Sequence, residues 1–320
     1  MPGITAAYHF TSGQSGTFAA GYSDLEKKIR MIPQSRMLAA SIGKTFVGAT
    51  VLYLENQGDL SREEYISKYL QTEPWLKKIS NNSLITTNHL LIHTSGIADY
   101  VSTKPFLIAF NKRWSSKKRT FTTDELIEFS LLGPSTLLPG KEFIYSDTGY
   151  LLLGKIIEKT SNEKYYDIVD RIFLQNLELK NTSPLTGKKI VGLASGYQDN
   201  KGSPLGLPHK TSNDKGELVW NPSFEWTGGG LVSTSEDLAK WGATLFSGSA
   251  LPFNYLDNLL NIKSTEENKA QDSYGLGVAV KHSKDFGKVY GHKVSHQSGT
   301  FTCFDDNKLQ LAFLYAQSCE

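Results

Sequence analysis

The stretch from Ser41 to Gly58 constrains this chain most. Ile42, Phe46, Val47, Ala49, Leu52 and Leu54 recur at roughly helical spacing, and Gly58 stands where a left-handed C-terminal cap is usual. The pattern predicts a buried helix beginning at Ser41. Residues three apart on a helix share a face at about 5 Å, which places the Lys44 amine near the Ser41 hydroxyl. A serine becomes a useful nucleophile when a neighbour takes its proton, and a lysine dried out by apolar surroundings loses enough basicity to do so. The helix N-terminus adds partial positive charge where an oxyanion would develop. Ser-x-x-Lys alone reads as readily as an N-cap followed by a solvated lysine. The apolar flanks, Met37-Leu38-Ala39-Ala40 and Phe46-Val47, shift the reading, because a serine and a lysine between two buried runs are not ordinary surface.

Around this stretch the pattern is strand-like at both ends and helical in the middle. Ile4, Ala6, Tyr8 and Phe10 alternate with Thr5, Ala7 and His9, Ser12 to Gly16 supplies a turn, and Thr17 to Gly21 returns. Thr87 is expected to cap a helix to His93, Thr123 another to Leu131, and Gly149 to Lys159 reads as a third. Residues 201–222 read as an irregular loop, and Thr234 or Ser235 caps a helix running to Gly248. Strands are expected at Gly275 to Lys281, Lys288 to His296, Thr300 to Phe304 and Leu309 to Tyr315. This predicts one α/β sheet lobe from residues 1–58 and 186–320, interrupted by a helical lobe over 59–185.

The 320 residues suffice for a substantial core, and Lys+Arg 34 against Asp+Glu 32 gives no footprint for nucleic acid. No apolar run is long enough to span a bilayer. No signal peptide is visible, so the chain is expected to be either cytoplasmic or a mature form whose signal has been removed. Of the two cysteines, Cys303 would face the neighbourhood of Gln310 if Asp305 to Lys308 turns a hairpin, and Cys319 lies beyond it. Two free thiols are expected.

Three further groups carry chemistry. Tyr145-Ser146-Asp147 sits on a loop entering a helix, where side chains are often displayed. Tyrosine there is commonly an amphipathic surface residue; its catalytic reading is a phenol whose pKa of about 10 is lowered by adjacent positive charge, so that it relays a proton. His296 opens His296-Gln297-Ser298-Gly299-Thr300, with His292 as the competing candidate on the same face; a lone strand histidine is more often structural. His89 and His93, four apart, could ligate zinc, but Leu90-Leu91-Ile92 lacks a metalloprotease glutamate. Gly149 to Lys155 nearly spells a phosphate loop, yet Ile156 replaces Ser/Thr, and no Gly-x-Ser-x-Gly elbow occurs. No cofactor is expected.

In order along the chain, these pieces resemble the serine β-lactamase and penicillin-binding protein superfamily. The closest branch groups class C β-lactamases with D-alanyl-D-alanine carboxypeptidases and related esterases. The likeness rests on Ala40-Ser41-Ile42-Gly43-Lys44-Thr45-Phe46, Leu90-Leu91-Ile92-His93-Thr94-Ser95-Gly96-Ile97, Tyr145-Ser146-Asp147-Thr148-Gly149-Tyr150 and Gly228 to Leu238. It covers nearly the whole chain and explains His93 as a structural helix end. The resemblance implies a β-lactamase/transpeptidase-like fold: an antiparallel sheet from both termini with flanking helices and an inserted helical lobe. It implies Ser41 as the acylated nucleophile, with Lys44 and Tyr145 sharing its proton and passing it to the leaving group. His296 would replace the lysine that opens the third motif of β-lactamases, and the backbone N–H groups of Ser41 and Gly299 would form the oxyanion hole. Two positions depart from the family's pattern: Asp147 stands for asparagine and Ser298 for glycine. Asp147 should hold the Lys44 ammonium, leaving more of the base role to Tyr145, and Ser298 should narrow the cleft. The terminal helices that commonly cover the family's sheet have no visible counterpart, as in a trimmed chain. The implied activity is that of a serine hydrolase, D-alanyl-D-alanine carboxypeptidase-like and penicillin-binding, periplasmic or secreted. An esterase, a class C-like β-lactamase, and a non-turnover sensor or disabled homologue are the alternatives. The partners implied are peptidoglycan peptides or other small molecules, β-lactams among them.

Overall fold

The structure is a computed structural model of the 320-residue chain. It describes residues 1–114, 120–134, 137–198, 205–260, 272–284, 287–293, 300–304 and 309–315. Strands from both ends meet in one seven-stranded antiparallel sheet. They are β1 (Ile4–Phe10), β2 (Ser15–Ala20), β3 (Asp272–Tyr274), β4 (Ala279–Ser283), β5 (Gly287–Lys293), β6 (Thr300–Phe304) and β7 (Leu309–Tyr315), in the order β2-β1-β7-β6-β5-β4-β3. The first strand therefore pairs with the last, Ile4 opposite Tyr315. Cys303 lies opposite Gln310, the register that a turn at 305–308 predicts; Cys319 lies outside the described residues. Of the expected strand Gly275 to Lys281 only Ala279 onward is strand, and Gly275 to Val278 instead connect β3 to β4. Gly277 adopts φ +76° and the Gly275 N–H closes on the Val278 carbonyl, so the chain reverses between β3 and β4.

The helical elements include α1 (Gly43–Gln57), α2 (Thr87–Leu91), α3 (Lys104–Trp114), α4 (Thr123–Ser130), α5 (Asp147–Ser161) and α6 (Ser235–Phe246). Gly58 ends α1 with φ +83°, the left-handed cap its sequence predicts. The caps of α2 and α4 fall one residue before Thr87 and Thr123, on Thr86 and Thr122, each inside a capping box with the side chain three residues on, His89 and Glu125. Thr234 caps α6, which packs across β1 and β7. The expected helix from Gly149 begins two residues earlier, and its Gly149 to Lys155 segment is uninterrupted helix. Among the described residues, no helix is long and apolar enough to cross a membrane.

Helix α1 is the centre of the core. Phe46 stacks on Trp241 at 4.0 Å, and the Trp241 indole N–H donates to Thr45 Oγ1 at 2.8 Å. Gly48 lets the β3–β4 turn approach the helix backbone: a Cβ there would overlap the Leu276 carbonyl. Alanine ordinarily favours a helix interior over glycine by about 1 kcal/mol. Overpacking costs typically 1–3 kcal/mol, so the steric term wins and Gly48→Ala is expected to destabilise the protein by about 1 kcal/mol. Chemical denaturation checks this, and a rise in stability would contradict the close approach.

Candidate active site

The chain reaches Ser41 through a sharp reversal. Ala39 N–H bonds the Leu231 carbonyl at 2.8 Å, Ala40 takes a left-handed φ of +44°, and the short helix Ala40–Ile42 leads into α1. Left-handed backbone is costly for a residue with a Cβ and is tolerated where the surroundings over-determine it. Here Gly229 supports it from behind, since a Cβ at Gly229 would overlap the Ala40 carbonyl and stand 2.9 Å from the Ser41 nitrogen. The Ser41 N–H thus sits in the first turn of a helix, where such groups lack intrahelical acceptors.

Two groups converge on the Ser41 hydroxyl. Lys44 Nζ donates to Ser41 Oγ at 3.2 Å, and Tyr145 Oη lies 2.9 Å from the same oxygen. The Lys44 side chain is 0 % exposed. Its ammonium pairs with Asp147 Oδ1 at 2.5 Å, donates to the Gly228 carbonyl, and lies over the rings of Tyr145 and Tyr150 at 5.0 and 5.1 Å. One lysine therefore meets one serine, one carboxylate and two aromatic faces.

The electrostatics follow from that arrangement. Burial works to lower the basicity of Lys44, but the Asp147 carboxylate and Tyr145 outweigh it, and the ammonium is held above the ordinary lysine range. Asp147 thus opposes the drying of the lysine, as its carboxylate leads one to expect. The Tyr145 phenol moves against expectation. Burial pushes its pKa up, the Lys44 charge pulls it down, and Asp147 pushes it up again, so the net shift is upward. The site rests as an ammonium beside a phenol, and one of the two must lose a proton before Ser41 can give up its own.

Asp147→Asn is expected to move the rising limb of the pH–rate profile to lower pH. The carboxylate raises both Lys44 and Tyr145, so its removal lowers both whichever acts as base. A shift of roughly one pH unit is the scale for a close charge. An unmoved profile would show that neither group limits the reaction.

Of the residues singled out from sequence, Ser41, Lys44, Tyr145 and Asp147 come together, while His296, Ser298 and Gly299 lie outside the described residues. His292 is placed beside the site: its Nε2 lies 2.9 Å from the Tyr274 hydroxyl and its ring 6.3 Å from that of Tyr145. His89 and His93 are engaged separately. His89 Nδ1 accepts the Thr86 N–H, and His93 Nδ1 accepts the Ser146 N–H, each at 3.1 Å. Among the described residues, no group of three or more His, Cys, Asp or Glu could hold a metal ion.

Sequence reasoning missed Asp99 and Glu225. Glu225 keeps some exposed surface, yet dense protein around its carboxyl, with repulsion from Asp147, pushes its pKa up to about 8 against Lys44 and the Trp220 indole N–H. No local motif gives either residue a part in the site, because each reaches it through Asp147, which is distant in the chain.

Residues 4–318 match the Beta-lactamase family. Protein flp of Staphylococcus aureus is 30% identical over 224 residues, 69% of this chain and 41% of that protein, so the chain spans less than half the length of that curated relative. A D-stereospecific amidohydrolase from Streptomyces sp. superposes with a TM-score of 0.82 at 23% identity, covering 99% of this chain and 90% of that one. The penicillin binding protein from Bacillus halodurans gives 0.76 at 22%, covering 99% and 91%. With the family match running almost from end to end and the same architecture in both solved structures, the chain belongs to the Beta-lactamase family and has the β-lactamase/transpeptidase-like fold.

Proposed function

We propose that this protein is a serine hydrolase that works through an acyl-enzyme on Ser41 and cleaves amides of D-residues, most like a D-alanyl-D-alanine carboxypeptidase. The observation that carries the reading is the convergence of Lys44 Nζ and Tyr145 Oη on one serine oxygen, at 3.2 and 2.9 Å. In the fraction of molecules in which Lys44 or Tyr145 has released its proton to solvent, Ser41 Oγ attacks the carbonyl and the vacated group takes the Ser41 proton. The same pair returns the proton to the leaving amine, and water then hydrolyses the ester on Ser41. The N-terminal end of α1 supplies positive potential for the oxyanion.

The D-preference draws on the fold shared with a D-stereospecific amidohydrolase and a penicillin binding protein. Hydrolysis of a peptide ending in D-Ala-D-Ala, compared with its L-Ala-L-Ala counterpart and a short-chain p-nitrophenyl ester, tests it. The proposal expects cleavage of the D-peptide, no cleavage of the L-peptide, and loss of activity in Ser41→Ala. Ser41-dependent hydrolysis of the ester alone would make the protein an esterase instead.

A second reading rests on the Lys44–Asp147 pair. A lysine held this firmly as an ammonium is a poor base for deacylating water, which favours a penicillin-binding protein that acylates without turnover. A β-lactam adduct stable for hours and no peptide cleavage would select it.

A further inference from the structure

The loop that carries Tyr145 and Asp147 does not hold itself. Ser146 stands at the N-cap of α5 but makes no capping bond, and its hydroxyl is buried without a partner among the described residues. A helix start needs acceptors for its first N–H groups, and here they come from another segment, residues 93–100. The Ile144 N–H donates to the His93 carbonyl at 2.8 Å and the Ser146 N–H to His93 Nδ1 at 3.1 Å. The Asp147 N–H donates to Asp99 Oδ1 at 3.2 Å. Thr148 Oγ1 donates to the Ala98 carbonyl at 2.8 Å and accepts the Tyr100 N–H at 3.0 Å. Asp99 Oδ1 also accepts the Val101 N–H at 3.3 Å, so one carboxyl oxygen ties the start of α5 to that of the short helical turn Tyr100–Ser102.

We propose that Asp99 is a positioning residue for the Ser41 reaction: its carboxyl substitutes for the missing cap of α5 and fixes the backbone of Asp147, and through it the Lys44 ion pair. This rests on the proposed acyl-enzyme reading. Asp99 touches none of the reacting atoms and acts through Asp147.

Its position also gives it an electrostatic effect. The charged and titratable groups around it are Asp147 on α5, Lys44 on α1 and the neighbouring Tyr100, with Glu225 facing Asp147 from beyond. Burial and repulsion from Asp147 push Asp99 up to about 7, against the two N–H donors and Lys44. Asp99 therefore gains its negative charge near neutrality. Once ionised it holds the Lys44 ammonium more firmly and leaves less of the base form.

The test compares Asp99→Asn, Asp99→Ala and Asp99→Ser in the full chain, using whichever ester or D-peptide the wild type hydrolyses. Asparagine keeps an acceptor for the Asp147 N–H without the charge; alanine leaves that N–H unpaired. Asp99→Ala is expected to lower kcat about tenfold or more with KM changed by less than about threefold, and Asp99→Asn to recover most of the loss. The ratio of kcat/KM between Asp99→Asn and wild type should rise severalfold between about pH 5.5 and about pH 8.5, a change that a purely structural role would not produce. Glu225 is present in both proteins and cancels in that ratio. Hydrogen exchange at the Asp147 amide supplies a readout without catalysis: Asp99→Ala should speed it, and Asp99→Ser serves in its place if the alanine variant does not fold. Wild-type kcat and unchanged exchange in Asp99→Ala, or a flat Asn-to-wild-type ratio, would overturn the proposal. Activity that survives Ser41→Ala would instead overturn the acyl-enzyme reading, with the exchange result still deciding whether Asp99 holds the loop.

Discussion

Replacement of Lys44 by methionine is expected to lower hydrolysis by about a thousandfold or more and to destabilise the fold at the same time. The two losses have different causes. Methionine keeps most of the apolar stem of the side chain but removes the charge that Ser41 Oγ, Tyr145 and Asp147 all face. Breaking one side of a buried ion pair costs typically about 3–5 kcal/mol, because the other charge is left uncompensated. Asp147 retains 22 % exposure of its side chain, so the cost falls at or below the low end, about 3 kcal/mol. Adding Asp147→Asn to Lys44→Met should therefore recover most of the stability and none of the activity. Thermal denaturation and steady-state hydrolysis of single and double variants separate the effects. Equal stability of the two would contradict the Lys44–Asp147 pair as the reason for the loss.

The second large effect is expected for Tyr145→Phe. The ring itself is well held, 4.2 Å from the His93 ring with Lys44 Nζ over its face at 5.0 Å, so the variant should fold with little change in Tm. What it loses is the oxygen 2.9 Å from Ser41 Oγ. Proton transfer by a placed group contributes about 10²- to 10⁴-fold, and a loss in that range is expected in kcat with a small change in KM. The raised pKa of Tyr145 sharpens the test. A phenol that rests protonated takes the Ser41 proton only as it hands its own to a neutral Lys44. If Lys44 were the sole base, Tyr145→Phe would cost less than about tenfold.

Much of this arrangement is legible in the residues, and the parts that are not escape for reasons that differ from element to element. The spacing of Ser41 and Lys44 is local, and local patterns carry it, although Ser41 stands on the short helix Ala40–Ile42 and α1 begins at Gly43, two residues after the expected start. The pairing of β1 with β7 follows from alternation at both ends of the chain, and the Cys303–Gln310 register from turn arithmetic. The caps differ from expectation by one residue because Thr86-Thr87 and Thr122-Thr123 each offer two threonines in succession. Glu125, three residues after Thr122, was the signal that resolves the second. The alternation from Gly275 onward hides a turn, because the left-handed φ of Gly277 leaves no mark in a pattern of apolar residues. The triplet suggests a Tyr145 shift set by Lys44 alone. Burial and the Asp147 carboxylate reverse it, and neither shows in the triplet Tyr145-Ser146-Asp147. Asp99 and Glu225 lie 48 residues before and 78 after Asp147 in the chain, so only the fold brings their carboxyls to the site.

The claim beneath all of this is that Ser41 is acylated. The most direct test follows the intact mass of the protein over time after mixing with a penicillin, for wild type and Ser41→Ala side by side. The account predicts a mass increase of one penicillin on the wild type, none on Ser41→Ala, and a slower increase in Tyr145→Phe. A wild-type protein that forms no adduct and shows no Ser41-dependent ester or D-peptide hydrolysis would contradict it.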